Sequence, residues 1–275
     1  MHSLFVFNIF FLSLSMKAYT VFMLLALATV FGGALYSIRK DKVSSSHAVV
    51  LLGVSAVVAF VGARLMHFVT DYSRYAETPS RLYALDFSGF SLFGGIIGGT
   101  VAAAVFAKIY KLNFWRLADL AAPFLGLGIV FLRIGCFLNG CCFGRETGLP
   151  WGMRFPFWST PHRYQILHDP ASLFFVNPVH PTQLYELLAA AVGIALAVFI
   201  LRKKLFDGAA ILVFVTWFSA FRIVNDQLRV AAPNFSAPNY FYPALYLILI
   251  AVCAIAFHSR IKKSHSRGES GVGCS

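Results

Sequence analysis

The sequence predicts an all-α integral membrane protein of seven transmembrane helices, with an aromatic-rich cap segment on its outer side. Three observations carry that expectation. Hydrophobic residues make up 59% of the 275 positions and charged residues only 12%. Mean hydropathy is +0.73. The apolar residues gather into runs of about 20, the length at which a helix crosses about 30 Å of hydrocarbon. Such a composition excludes a water-exposed globular surface. The formal net charge of +12 comes from short basic clusters at the ends of the apolar runs. An aromatic-interleaved basic patch is missing, so no nucleic-acid partner is expected.

Taken in order, residues 1–17 are apolar without the basic start of a cleavable signal peptide, and read as an interfacial lead-in. Met16 followed by Lys17 is equally a second possible start, which would make that segment a gene-model extension. The membrane domain covers 18–258, with spans at 18–38, 47–69, 88–110, 119–139, 183–201, 209–229 and 241–258. Basic clusters follow every odd-numbered span: Arg39, Lys40 and Lys42; Lys108, Lys111 and Arg116; Arg202, Lys203 and Lys204; Arg260, Lys262, Lys263 and Arg267. The positive-inside rule makes those ends cytoplasmic. The expected setting is therefore a bacterial inner membrane, N-terminus outside and C-terminus in the cytoplasm. Residues 140–182, with Trp151, Phe155, Phe157 and Trp158, suit an ordered aromatic cap at the outer interface. The tail 259–275, basic and then Gly/Ser-rich, is expected to be disordered. No internal repeat of the transporter kind is visible.

The even-numbered spans and the loops at their outer ends hold nine basic residues: Arg64, Arg74, Arg81, Arg133, Arg145, Arg154, Arg163, Arg222 and Arg229. All are arginine, whose planar fork suits bidentate phosphate binding where lysine would serve topology equally well. Charges inside the bilayer are costly and mark functional positions. Here they are Arg64, Arg133, Glu186, Arg222 and Asp226. Arg222, Asp226 and Arg229 share one helix face by spacing. Four arginines (64, 133, 222, 229) against two acids (186, 226) leave positive charge for a bound anion, and lipid phosphate is the anion at hand. Gly94, Gly95, Gly98 and Gly99 form small-residue rows; these serve close helix packing or, at Gly94 and Gly95, an open backbone surface for a headgroup. Cys136, Cys141 and Cys142 read as small semi-buried side chains, the alternatives being a disulfide or a covalent relay. No finger-type metal spacing exists, so neither metal nor cofactor is expected.

The run RIGCFLNGCCFGRET (Arg133 to Thr147), preceded by Asp119 and Ala122-Pro123 and followed by HPTQLYE (His180 to Glu186), resembles the prolipoprotein diacylglyceryl transferase family. Tyr19, the GARL at Gly62 to Leu65, the Gly-Gly pair after Phe93 and the pattern from Phe221 to Arg229 extend the match over most of the chain. The resemblance implies a seven-helix inner-membrane enzyme that moves the diacylglyceryl group of phosphatidylglycerol onto the lipobox cysteine of a preprolipoprotein. It implies that the partners are that lipid, the lipobox-bearing signal peptide and surrounding membrane lipids. It also places Arg133 and Arg222 on the lipid phosphate. With Phe93 standing where the family has a histidine, the remaining candidate bases on the outer side are His180, Glu186 and Asp226. Tyr19, Arg64, Gly94, Gly95, Asn139, Gly140, Gly144, Arg145 and Gln183 fall at its substrate-binding positions. Three departures stand out. Phe93 replaces the family's histidine, Cys136 an asparagine and Cys141 a glutamate, while Asp226 conserves a carboxylate in place of glutamate. The competing expectations are an anionic-lipid transporter and a non-catalytic lipid-binding homologue.

Overall fold

The computed structural model describes residues 4–9, 12–40, 45–77, 91–230 and 240–270. Lys42, Arg81 and Cys274 lie outside the described residues, as do the side chains of Arg74, Lys263 and Arg267. A short antiparallel hairpin, β1 (Leu4–Ile9) and β2 (Leu12–Lys17), opens the chain and pairs Leu4 with Lys17. It occupies the segment expected as an interfacial lead-in. The second strand, LSLSMK, alternates apolar and polar residues with the two-residue period of a strand.

Everything else of length is helical: α1 (Ala18–Lys40), α2 (Ser45–Thr70), the short α3 (Tyr72–Glu77), α4 (Leu92–Ile109), α5 (Phe114–Asn139), α6 (Thr160–His168), α7 (Thr182–Lys203), α8 (Ala209–Leu228) and α9 (Phe241–Ser270). Six of these (α1, α2, α5, α7, α8 and α9) are long and apolar enough to cross a membrane. The seventh apolar helix, α4, is shorter: its 18 residues span about 27 Å at 1.5 Å per residue, just under the hydrocarbon thickness. The architecture is that of a multi-pass, all-α membrane protein.

Several helices run past the expected spans, α5 starting at Phe114 and not at 119, and two ends differ in a way that matters here. Helix α8 stops at Leu228 because Arg229 turns to extended backbone (φ −85°, ψ 147°) and bridges Gly144. Arg229 is thereby taken off the helix face it was expected to share with Arg222 and Asp226. Helix α9 continues to Ser270, through 259–270 where composition predicts disorder. The run 260–267 lacks a glycine or proline to stop it.

Two compact units result. The first comprises Met1–Val30, Ala122–Val230 and Tyr242–Ser275, the second Phe31–Ala121 and Ala231–Phe241. In the first, Ala122, Ala197, Ala210 and Phe214 make a buried cluster joining α5, α7 and α8. Helix α1 meets α5 at Gly128 and Gly135, where an added Cβ would lie 2.7 Å from Val30 and 2.9 Å from Phe22. In the second, Ile38, Ala48, Leu51 and Phe106 are the buried core. Helices α2 and α4 approach so closely that a Cβ on Gly98 would lie 2.6 Å from the Val58 carbonyl, and one on Gly94 would overlap the Gly62 carbonyl. The small-residue rows are thus a backbone-to-backbone seam. Gly94 is turned into it, while a Cβ on Gly95 would make only ordinary contacts, 3.5 Å from the Ala59 carbonyl.

The cap between α5 and α7 is ordered by polar bonds under its aromatic surface. His162, fully buried, accepts from the Trp158 backbone N–H (2.9 Å), so its Nε2–H is the donor to the Ser172 carbonyl, also 2.9 Å. Gln165 donates to the Asn177 carbonyl at 2.9 Å and accepts from the Asn177 N–H at 3.2 Å. Trp151, Phe157, Trp158 and Phe174 remain exposed, as amphipathic rings at a membrane interface do.

Candidate active site

Three helices of the first unit converge on a single carboxylate. Glu186, one turn into α7, is fully buried (0% exposed), where an unpaired charge would cost several kcal/mol. It is heavily paired. Its Oε1 accepts a short hydrogen bond from Arg222 Nη1 of α8 and another from Asn225 Nδ2 at 3.0 Å. Its Oε2 is in ionic contact with Arg133 Nε of α5 at 2.7 Å, off the hydrogen-bond axis. One carboxylate therefore ties two guanidiniums that the sequence separates by 89 positions, from 133 to 222.

Arg222 uses all three of its nitrogens. Beyond Glu186, its Nη2 pairs with Asp226 Oδ1 at 2.7 Å, one turn along α8, and its Nε donates to the Tyr246 hydroxyl of α9 at 2.9 Å. The guanidinium also lies 5.6 Å from the centre of the Tyr246 ring, a cation–π distance. Held this way, the planar fork keeps one orientation without rotamer search. Asn225 and Tyr246 are polar partners that sequence reasoning missed. Tyr246 carried a signal, a hydroxyl midway through an apolar span; Asn225 carried one in sitting beside Asp226 on a buried helix.

A second group of residues surrounds these arginines. After α5 the chain turns through Gly140 (φ 70°) and Cys142 (φ 60°). It then runs as an irregular strand, in which the Gly144 N–H donates to the His180 carbonyl (2.9 Å) and the Arg145 N–H to the Leu228 carbonyl (2.8 Å). Gly144 is required by that crossing, since a Cβ there would lie 2.8 Å from both the His180 and Leu228 carbonyls. The start of α7 fastens the turn: Thr182 Oγ1 donates to the Cys142 carbonyl at 2.6 Å, and Gln183 Nε2 to the Cys141 carbonyl at 2.7 Å. Gln183 thus holds the loop. Arg229 Nη2 lies 2.9 Å from Cys142 Sγ. Hydrogen bonds from the Cys136 and Cys141 thiols, and then the Arg229 charge, hold the Cys142 thiol well below its ordinary range.

The remaining expected positions scatter more widely. Tyr19 sits on the turn of α1 that packs against Gly135. His180 is half-buried, with Nδ1 3.3 Å from the Tyr185 hydroxyl. Asn139 ends α5, and the side chains of Arg145, Arg154 and Arg163 are exposed. Arg64 belongs to the second unit, where it is buried in α2 with its guanidinium 5.9 Å from the Tyr75 ring centre. The thiols of Cys136, Cys141 and Cys142 are free, and their sulfurs lie within 4.8 Å of one another, close enough among the described residues to share a metal ion.

Chemically, Arg133, Arg222 and Arg229 bring three positive charges against the two of Glu186 and Asp226. One positive charge is left for an anion: the Cys142 sulfur as a thiolate, or a ligand that takes its place on the arginines. A phosphodiester carries that single charge.

The family model described as prolipoprotein diacylglyceryl transferase matches residues 5–265. Similar chains carry the name phosphatidylglycerol–prolipoprotein diacylglyceryl transferase. One from Nostoc sp. is 35% identical over 62% of this chain and 59% of its own length. One from Dehalococcoides mccartyi is 27% identical over 91% of this chain and 92% of its own. One from Campylobacter curvus is 29% identical over 78% and 77%. The match therefore spans about three fifths of the Nostoc protein and nearly all of the Dehalococcoides one. The chain belongs to the prolipoprotein diacylglyceryl transferase family.

Proposed function

We propose that the chain transfers the diacylglyceryl group of phosphatidylglycerol to the lipobox cysteine thiol of a preprolipoprotein, releasing glycerol phosphate, at the outer face of a bacterial inner membrane. Family membership supports the reaction class, and the names of the relatives supply the two substrates. The observation that carries the reading in this chain is the pair of guanidiniums fixed on Glu186 among apolar helices. The cluster of basic ends after the odd-numbered spans supports an outside N-terminus.

In this reaction the substrate sulfur attacks the glyceryl carbon that bears the phosphate. The carbon–oxygen bond breaks, and its electron pair goes to the phosphate oxygen. Charge growing on that phosphate is what Arg133 and Arg222 meet, and because both are already oriented, little reorganisation is needed at the transition state. In this reading Glu186 serves as their anchor, its charge shared between Arg133 and Arg222. Asp226 is tied to Arg222 at 2.7 Å, which leaves His180 as the acceptor candidate without a buried ion pair.

Complementation tests the proposal. The gene should rescue a strain depleted of its own diacylglyceryl transferase, and Arg133→Ala or Arg222→Ala should lower transfer by about 100-fold or more. An anionic-lipid transporter or a non-catalytic lipid-binding homologue would be expressed normally and fail to rescue. His180→Gln should lower the rate while phosphatidylglycerol binding persists; unchanged kinetics would remove His180 from the mechanism.

A further inference from the structure

The cysteines around the turn after α5 have no part in the proposed transfer, yet among the described residues they form a group of side chains able to share a metal ion. Cys136 is buried on the last turn of α5, Cys141 and Cys142 are half-buried on the loop, and the three sulfurs lie within 4.8 Å of one another. We propose that Cys136, Cys141 and Cys142 form a three-coordinate, all-sulfur site for a soft monovalent d10 cation, with copper(I) as the natural occupant. The proposal does not rest on the transferase reading, and Arg133 borders both sites.

Geometry supports three-coordination. With metal–sulfur bonds of about 2.3 Å, the sulfurs of a trigonal site stand about 4.0 Å apart, inside the 4.8 Å limit observed. Among the described residues no fourth histidine, cysteine or carboxylate atom joins the group. Three thiolates suit copper(I), which they select by softness and which is satisfied by three ligands, whereas zinc here would need a fourth ligand such as water. The frame is built in advance. Cys141 N–H donates to the Cys136 carbonyl at 3.1 Å, and Thr182 and Gln183 hold the Cys142 and Cys141 carbonyls from α7. A ligating loop held this firmly loses little entropy on binding.

Cationic groups face the sulfurs: Arg229 Nη2 lies 2.9 Å from Cys142, and Arg133, which also pairs with Glu186, has Nη1 3.9 Å from Cys136. Cationic N–H groups directed at sulfur are the outer partners that stabilise an anionic thiolate complex. Sequence spacing hid the site. Cys136 and the adjacent pair Cys141-Cys142 do not follow a finger pattern, and only the positive-φ turn at Gly140 and Cys142 folds the pair back onto α5.

The test is a titration of purified, reduced full-length protein in detergent with copper(I) against a chromogenic copper(I) chelator, with silver(I) as a redox-inert second probe. One equivalent should bind, and X-ray absorption should show sulfur ligands only, three in number. Cys136→Ser, Cys141→Ser and Cys142→Ser should each weaken binding at least 100-fold, Arg229→Gln about tenfold, and Cys253→Ser not at all. Thermal melting identifies variants that keep the fold. A folded Cys141→Ser protein with undiminished copper(I) affinity, a spectrum dominated by nitrogen or oxygen, or a disulfide among these cysteines in protein isolated from membranes would each overturn the proposal.

Discussion

At the scale of single residues, Glu186 is the position on which the most depends. Its carboxylate faces Arg133 and Arg222 from full burial, and removing one partner of such a group leaves the others charged and uncompensated, at about 3–5 kcal/mol. Glu186→Gln should therefore lower the thermal midpoint in detergent markedly and abolish transfer, although the amide has nearly the carboxylate's shape. Tyr246→Phe removes the hydroxyl that accepts a charge-assisted hydrogen bond from Arg222 Nε. It should cost about 1.5–3 kcal/mol and slow transfer without abolishing it; loss equal to that of Arg222→Ala would place Tyr246 on the substrate itself. The Arg222–Asp226 pair was legible because a spacing of four residues on a helix puts two side chains on one face. The Glu186 bonds to Arg133 and Arg222 were not, since nothing local to any of the three says which helices become neighbours.

At the scale of elements, the α2–α4 seam shows where spacing sufficed and where it did not. Rows of glycine four apart predict close helix contact, and the contact exists. The same rows do not say which glycines tolerate a methyl group. Gly94 faces the Gly62 carbonyl and Met66, so Gly94→Ala should destabilise by about 1–3 kcal/mol. A Cβ on Gly99 would sit 3.4 Å from Ala59 Cβ, an ordinary contact, so Gly99→Ala should leave the melting midpoint nearly unchanged. Equal effects of the two substitutions would contradict the seam as described. Helix α8 offers the converse lesson. Its apolar period continues toward Arg229, but the bridge to Gly144 ends it at Leu228, and a pairing partner 85 positions upstream, at 144 against 229, leaves no mark on local periodicity.

At the scale of the whole molecule, hydropathy and the basic clusters made the number and order of apolar helices readable, because in lipid every spanning segment must satisfy its backbone internally and so declares itself by composition. The orientation rests on charge asymmetry alone. A green fluorescent protein fused after the last residue should fluoresce, and alkaline phosphatase at the same place should be inactive; the reverse pattern would invert the proposed topology. Family membership was legible in the motif from Arg133 to Thr147, whereas the thiol cluster within that motif was not, since it depends on two left-handed backbone turns. In the proposed function, arginines anchored by one buried carboxylate drive transfer of a diacylglyceryl group to a thiol. Intact mass measurement of a lipoprotein precursor co-expressed with this chain, in cells depleted of their own transferase, tests it most directly. The precursor should gain the mass of one diacylglyceryl group on the lipobox cysteine, lost with Arg133→Ala and with Arg222→Ala; an unmodified precursor beside well-expressed wild-type protein, or full modification by the Arg222→Ala variant, would rule the mechanism out.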